Sequence, residues 1–447
     1  MVPQNALILG IMTSLFLILG YLGVPVAFAL IAGVLVGTAM VPITFQSMMG
    51  QLFNGIDSES LMAIPFFLLV GELMTSANVV IRIAELSQAM VGHIRGGLGQ
   101  VTTVFSMFFS GMSGSTSADV AVLSRTMAKP MAAEGYSPGF VASLIAGAAT
   151  IACLVPPSIM AVVYGAIGNV SIAGLFLGGV LPGMMIGVGL MIYCYFFGPV
   201  GFRRKRATIR QLGTATKNAA LPLMIPIILL GGIMTGWFTP TEAGVIAIVY
   251  ILLVVIPILK PSHLKDIPRD FVHAGLIFSL PLITIAAASA FGWLLAYLRG
   301  PIVVAGWIGG VAGGDPHAIM FLLVIVFTVV GDFIEPIPAI IIFMPVVNQL
   351  TEQASINGVH MGIVLIVTLA FGLITPPYGL SLLMASKFVG ARFSAALRAS
   401  LPIYLIFLAT IAFAIFFPEV VLWLPKTLFP ESVGCFRAPA GEGYICP

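Results

Sequence analysis

Apolar residues run along this chain in long stretches with brief polar interruptions, and stretch length decides the architecture. A helix crosses the hydrocarbon core of a bilayer with about 20 predominantly apolar residues. Such stretches fall at about 6–21, 24–42, 61–77, 138–165, 170–200, 219–236, 240–259, 270–298, 361–388 and 394–417, so ten spans are expected. Hydrocarbon offers no partner for backbone N–H and C=O groups, which restricts uninterrupted segments of this kind to helices. The first charged side chain is Asp57, and no Asp, Glu, Lys or Arg occurs between Glu134 and Arg203. The predicted fold class is an all-α polytopic membrane protein.

Two more apolar stretches, 98–131 and 316–350, are interrupted midway. The first is broken by Ser110-Gly111-Met112-Ser113-Gly114-Ser115-Thr116-Ser117 with Asp119 just beyond, the second by Gly331-Asp332-Phe333-Ile334-Glu335-Pro336. A chain that enters the membrane, turns at such a knot and leaves on the same side is a re-entrant hairpin. It is stable only where its free backbone groups are buried in protein or line a wet cavity.

One similarity recurs at long range. Val155-Pro156-Pro157-Ser158 precedes Leu181-Pro182, and Thr375-Pro376-Pro377-Tyr378 precedes Leu401-Pro402, each element displaced by 220 residues. Each Pro-Pro lies inside an apolar span and follows an interrupted stretch, with Pro130 or Pro345 between them. The spans starting near 61 and 270 are third and eighth in order, so the two halves cross the membrane in opposite directions. The expected organisation is 1–60 N-terminal scaffold spans and arm, 61–200 first inverted repeat, 201–269 basic loop and connecting scaffold spans, 270–417 second repeat, and 418–447 tail. Inverted repeats with broken helices in matching positions point to a secondary transporter whose sites lie near the bilayer midplane.

The chemistry follows from the breaks. A Pro-Pro pair removes two backbone donors and clashes with the preceding turn, so carbonyls near Val155 and Thr375 lose their helical partners and can hold a cation. Helix N-termini carry partial positive charge and can receive a carboxylate, while hydroxyls and helix C-terminal carbonyls suit Na⁺. Substrate contacts are expected from Ser115, Thr116 and Asp119 at the first tip, and from Ser158 and Tyr378 after the two Pro-Pro pairs. Asp119, Asp332 and Glu335 are read as functional, because ionisable groups at membrane depth cost several kcal/mol unless paired or used.

Composition adds orientation. Residues are 60% hydrophobic and 8% charged, against about 25% charged in soluble domains. Much of the net charge of +3 sits in Arg203, Arg204, Lys205, Arg206, Arg210 and Lys217, with a second basic group at Lys260, Lys265 and Arg269. Two spans separate them, so both face one side, the cytoplasm by the positive-inside rule. Counting outward then places both termini in the periplasm. Topology alone explains such a loop, and no nucleic-acid partner is expected. A cleaved signal peptide is not expected either, since Met1 to Asn5 carry no basic residue and the apolar run outlasts an h-region.

Other features have structural readings. Glu242 in Thr239-Pro240-Thr241-Glu242 reads as a capping box. Glu72 falls late in a span and calls for a lysine or arginine partner on the scaffold. The five histidines, His93, His263, His273, His317 and His360, mostly fall near span ends and read as interfacial. Cys153 and Cys194 read as small buried hydrophobes. Cys435 and Cys446 can pair if the tail faces an oxidising compartment; sequence leaves that open. Ser113 or Ser115 in a glycine-rich turn raises an intramembrane serine hydrolase as an alternative, but the Gly-x-Ser-x-Gly elbow is incomplete and no histidine has an obvious route to it. A passive anion channel is the other alternative, because re-entrant loops also build filters.

The chain resembles the large membrane subunit of the tripartite ATP-independent periplasmic (TRAP) transporters over nearly its whole length. The segments that carry the likeness are Ala63-Ile64-Pro65-Phe66-Phe67 with Gly71-Glu72-Leu73-Met74, Arg95-Gly96-Gly97-Leu98, Ser113-Gly114-Ser115 with Ala118-Asp119, Gly135-Tyr136, Pro156-Pro157-Ser158, Tyr164-Gly165, Ser171-Ile172, Pro182-Gly183, Thr239-Pro240-Thr241-Glu242-Ala243 and Thr375-Pro376-Pro377. The resemblance implies a bacterial inner-membrane carrier of organic anions, mostly carboxylates. It implies elevator-type movement and Na⁺ as coupling ion, with no other cofactor. Its implied partners are a periplasmic substrate-binding protein and a four-span small subunit, expected here as a separate polypeptide. By position, one Na⁺ site draws on Ser113, Gly114, Ser115 and Ser117 with Val155 and Pro156. The second draws on Gly331, Asp332 and Glu335 with Thr375 and Pro376, and which of the two acids ligates directly stays open.

Overall fold

Several helices of this chain begin where a side chain accepts a free N–H of the first turn, and several end at a left-handed glycine, as at Gly114, Gly313 and Gly390. Ser137 accepts from Phe140 N at 3.3 Å just before Pro138, and Ser171 from Gly174 N at 3.2 Å. Asp315 accepts from Ala318 N at 2.8 Å before Pro316. At Thr239 the capping box is complete: its hydroxyl accepts from Glu242 N at 3.3 Å, and its own N–H donates to Glu242 Oε2 at 2.8 Å. The computed structural model describes residues 3–76, 79–199, 205–437 and 444–445. Arg203 and Arg204 of the basic loop lie outside the described residues.

The helices run α1 (Pro3–Tyr21), α2 (Val26–Ala39), α3 (Phe45–Asn54), α4 (Ala63–Ser76), α5 (Val79–Val91), α6 (Gly97–Ser113), α7 (Thr116–Ala133), α8 (Pro138–Ala149), α9 (Ile159–Gly168) and α10 (Ile172–Phe197). There follow α11 (Ile209–Met234) and α12 (Pro240–Tyr250), which continues through a π turn into α13 (Ile256–Leu259). Next come α14 (Ile267–Tyr297), α15 (Gly300–Ala312), α16 (Pro316–Phe333), α17 (Pro336–Gln353), α18 (Gly358–Gly372), α19 (Leu380–Val389) and α20 (Phe393–Phe416). In the tail, Phe436–Arg437 pairs with Tyr444–Ile445 as a two-residue ladder. The order α5 to α10 matches α15 to α20 helix for helix, with α5 and α15 both 13 residues, α7 and α17 both 18, and α9 and α19 both 10.

Both interrupted stretches double back. Tyr136 OH, just after α7, donates to Gly96 O at 2.5 Å and accepts from Gly99 N at 3.1 Å, so the chain leaves the α6–α7 pair where it entered. In the second pair, a Cβ on Gly309 of α15 would lie 3.6 Å from Gln353 at the end of α17. The two sets then interlock: α7 packs on α19, and α17 packs on α9. Helices α8, α18, α10 and α20 form the centre between them, while α2, α3, α4 and α17 lie against the long α14.

Six helices among the described residues are long and apolar enough to cross a membrane: α10, α11, α12 with α13, α14, α16 and α20. Their outward faces are apolar, as at Leu253, Leu276 and Leu280, which is what contact with acyl chains requires. The expected spans at 138–165 and 361–388 are each two shorter apolar helices, Pro138–Cys153 with Ile159–Gly168 and Gly358–Gly372 with Leu380–Val389. Helix α16, read from sequence as a hairpin arm, is long enough to span alone.

Several expectations need correction. Glu72 pairs with a histidine, His273 Nδ1 at 2.9 Å, instead of a lysine or arginine. Two histidines are buried and hydrogen-bonded inside the protein: His360 is 3% exposed, with Nε2 2.6 Å from Ala414 O, and His263 is 6% exposed, with Nε2 2.6 Å from Asp270 Oδ2. Helix α15 stands where no apolar helix was placed. Cys435 is disulfide-bonded, while Cys446 lies outside the described residues.

Candidate functional site

At the first tip, Gly114 takes a left-handed conformation (φ 59°) between α6 and α7, and a Cβ there would lie 2.4 Å from Pro157 O. Only glycine satisfies both demands. Ser115 then occupies the N-cap position of α7 without capping it, so the N–H groups of Thr116, Ser117 and Ala118 meet no acceptor among the described residues. The Ser115 and Ser117 hydroxyls are 3.2 Å apart, and Thr116 Oγ1 lies 3.0 Å from Cys153 Sγ. Behind them Asp119 is fully buried. Its Oδ2 accepts from Ser110 Oγ at 2.9 Å and its Oδ1 from Ser113 Oγ, tying the end of α6 to the start of α7.

The first break lies against that tip. Helix α8 tightens into a 3-10 turn at Thr150–Cys153, residues 154–158 are non-helical, and Ser158 caps α9 by accepting from Ala161 N at 3.2 Å while donating to Cys153 O. The Pro156-Pro157 peptide is cis. The carbonyls of Val155, Pro156 and Pro157 accept no hydrogen bond among the described residues.

The second tip and break are arranged comparably, with different side chains. Ile334 and Glu335 are extended between α16 and α17. Gly331 and Gly372 let the two backbones touch: a Cβ on Gly372 would be 3.0 Å from Gly331 Cα. Beyond α18 the chain is non-helical from 373 to 379, with a cis Pro376-Pro377 peptide. Thr375 Oγ1 donates to Asp332 Oδ1 at 2.6 Å, and Tyr404 OH donates to Ile374 O at 2.8 Å. Here too the carbonyls of Thr375, Pro376 and Pro377 accept no hydrogen bond among the described residues.

Both tips, and residues on either side of both breaks, line one cavity. The first residues of four helices line it: Thr116 of α7, Ile159 of α9, Pro336 of α17 and Leu380 of α19. Its wall contains matched positions 220 residues apart, namely Ser115 with Glu335, Thr116 with Pro336, Ser117 with Ile337, Cys153 with Leu373 and Met160 with Leu380. That is the spacing of the two Pro-Pro motifs. Among the described residues no Lys, Arg or His lines the cavity, and Glu335 is its one carboxylate.

The residues singled out from sequence therefore fall into three places. Gly114, Ser115, Thr116, Ser117 and Glu335 line the cavity. Ser113, Asp119 and Ser158 lie buried behind it, and Val155, Pro156, Gly331, Asp332, Thr375 and Pro376 form the backbone breaks and their immediate supports. Tyr378 is 57% exposed and is not part of the wall. Sequence reasoning missed Ser381, Met160 and Met384, which line the cavity; the signal for Ser381 was its place in the first turn after the second break. No histidine hydrogen-bonds to a serine of the first tip among the described residues, so the arrangement holds no serine–histidine pair.

Comparison with known proteins places the chain in a family. Residues 13–420 match the family model described as tripartite ATP-independent periplasmic transporter, DctM component. The chain is 34% identical over 389 residues to a C4-dicarboxylate TRAP transporter large permease of Pseudomonas aeruginosa, covering 87% of this chain and 91% of that protein. It is 34% identical over 423 residues to a sialic acid TRAP transporter large permease of Vibrio cholerae (92% and 98% covered), and 31% identical over 420 residues to an ectoine/5-hydroxyectoine TRAP transporter large permease of Ruegeria pomeroyi (93% and 98%). The matches span every element that builds the cavity, and the relatives are named as permeases, not enzymes. This chain belongs to the DctM-component family, the large membrane permeases of TRAP transporters.

Proposed function

We propose that this protein carries a small organic acid across the bacterial inner membrane in symport with Na⁺, by elevator-type alternating access. The observation that carries the proposal is convergence: the first residues of four helices line one cavity, and the two stretches of unpaired carbonyls lie between residues of its wall, Cys153 to Ile159 and Leu373 to Leu380. Each N-terminus carries roughly half a positive charge, which favours a carboxylate. Each group of unpaired carbonyls favours a cation. Relatives named for C4-dicarboxylate and sialic acid transport fit a carboxylate-bearing solute.

In this reading residues 61–200 and 270–417 are inverted repeats, and the 220-residue spacing of the cavity wall supports their equivalence. The pairs α6–α7 and α16–α17 are re-entrant hairpins. One Na⁺ site combines the carbonyls of Val155 and Pro156 with the Ser113–Ser117 tip; the other combines Thr375 and Pro376 with Gly331 and Asp332. Residues 1–60 and 201–269 form the scaffold against which the hairpins slide, braced by a separate small membrane subunit. A periplasmic binding protein delivers the solute, and both termini lie on its side.

Reconstituted uptake tests this. Proteoliposomes holding the permease with its small subunit are given the binding protein and a panel of labelled organic acids. Saturable accumulation that requires both an inward Na⁺ gradient and the binding protein is expected. Equal uptake with K⁺ in place of Na⁺ contradicts the symport, and conductance without the binding protein supports a channel.

A further inference from the structure

The cavity is chemically lopsided although its positions are paired. On the first-half side α7 presents three free N–H donors, at Thr116, Ser117 and Ala118, beside the hydroxyls of Ser115, Thr116 and Ser117. On the second-half side α17 has prolines at 336 and 338. Proline has no N–H, so of its first three positions only Ile337 keeps a free donor. That pole is mostly apolar, with Ile337, Leu373 and Leu380 beside the one hydroxyl of Ser381, and it carries Glu335.

The two acids of this tip are also separated by their surroundings. Asp332 is held by the Thr375 hydroxyl at 2.6 Å, beside the unpaired carbonyls of the second break. Glu335 lines the cavity and has no hydrogen bond or ion pair among the described residues. A dianion placed here would set one carboxylate against Glu335, with no Lys, Arg or His among the described residues of the wall to offset the repulsion. Like charges facing each other in a partly desolvated site disfavour binding.

We propose that Glu335 selects the solute by pairing with a positively charged group on it, so that the permease prefers a small zwitterion, a carboxylate bearing an ammonium or amidinium group, over a dicarboxylate of the same length. The carboxylate faces Ser115, Thr116, Ser117 and the N-terminus of α7; the cationic group faces Glu335. This deepens the carrier reading above and rests on it.

The matched probes are succinate and 4-aminobutyrate, with 4-trimethylammoniobutanoate as a zwitterion that cannot donate a hydrogen bond. Each is titrated, at saturating Na⁺, against the purified permease with its small subunit in nanodiscs, with thermal stabilisation as readout. Half-maximal stabilisation is expected at a concentration at least tenfold lower for one of the zwitterions than for succinate. In Glu335→Gln that preference should shrink to within about twofold, while the Na⁺ concentration for half-maximal stabilisation changes by less than about threefold. Tighter binding of succinate overturns the proposal and leaves the carrier intact. A Glu335→Gln variant that needs tenfold more Na⁺ with unchanged solute preference also overturns it, and makes Glu335 an ion ligand. Stabilisation by Na⁺ alone, with no solute of either class effective at any concentration, counts against the solute cavity itself.

Discussion

At the scale of single residues, burial separates groups that sequence could only gather by proximity. Ser113, Asp119 and Ser115 lie within seven positions, yet only Ser115 reaches the cavity, because Asp119 sits in the first turn of α7 with its carboxylate turned back onto α6. Asp119 therefore acts on the tip's shape. Replacing it with alanine leaves two buried hydroxyls to find new partners, at about 1–3 kcal/mol for each that fails. The expected result is a fall of several degrees in the thermal midpoint in detergent; an unchanged midpoint contradicts the assignment. Thr375 differs, since its hydroxyl orients Asp332 beside the unpaired carbonyls. Thr375→Val should raise the Na⁺ concentration for half-maximal uptake about tenfold, and Thr375→Ser, which keeps the donor, should stay within about twofold of the wild type. Equal effects of valine and serine would remove the hydroxyl from the ion site.

At the scale of elements, the breaks and tips were the most legible part of the sequence. Proline pairs and Gly/Ser knots act locally, whatever packs around them, and the helix ends at Ser113, Thr116, Phe333 and Pro336 fall inside the predicted interruptions. Helix α5 was hidden by Arg82 and Glu85, which interrupt its apolar run although its buried face is apolar except for Ser87. Helix α15 was hidden by its shortness, 13 residues. The meeting of the two halves at one cavity was not legible, because it depends on α7 packing against α19 and α9 against α17, contacts between segments more than 160 residues apart. The role of the breaks themselves can be tested by replacing Pro156-Pro157 with Ala-Ala. Two N–H donors return, a continuous helix from α8 to α9 becomes possible, and the carbonyls of residues 152 and 153 gain i+4 partners. Na⁺-stimulated uptake should fall at least tenfold with normal membrane insertion. Full uptake by the double-alanine protein would show that the unwound stretch is not needed.

At the scale of the whole molecule, the elevator reading requires the first hairpin to move past the scaffold. A Cβ on Gly111 would lie 3.6 Å from Pro226 Cβ of α11, within the separation a disulfide needs. With Cys153 and Cys194 replaced, the pair Gly111→Cys and Pro226→Cys should cross-link spontaneously and abolish uptake, and a reductant should restore it. Undiminished uptake by the cross-linked protein contradicts movement between those helices.

The site of the driving ion is what most directly distinguishes a carrier of this kind. A high-resolution structure of the permease with its small subunit, in Tl⁺ as an electron-dense substitute for Na⁺, locates it. Two peaks are predicted, one within about 3 Å of the carbonyls at Val155 and Pro156 and one within the same distance of Thr375 and Pro376. Well-ordered breaks with no Tl⁺ beside either, or peaks confined to sites elsewhere in the fold, would contradict the prediction.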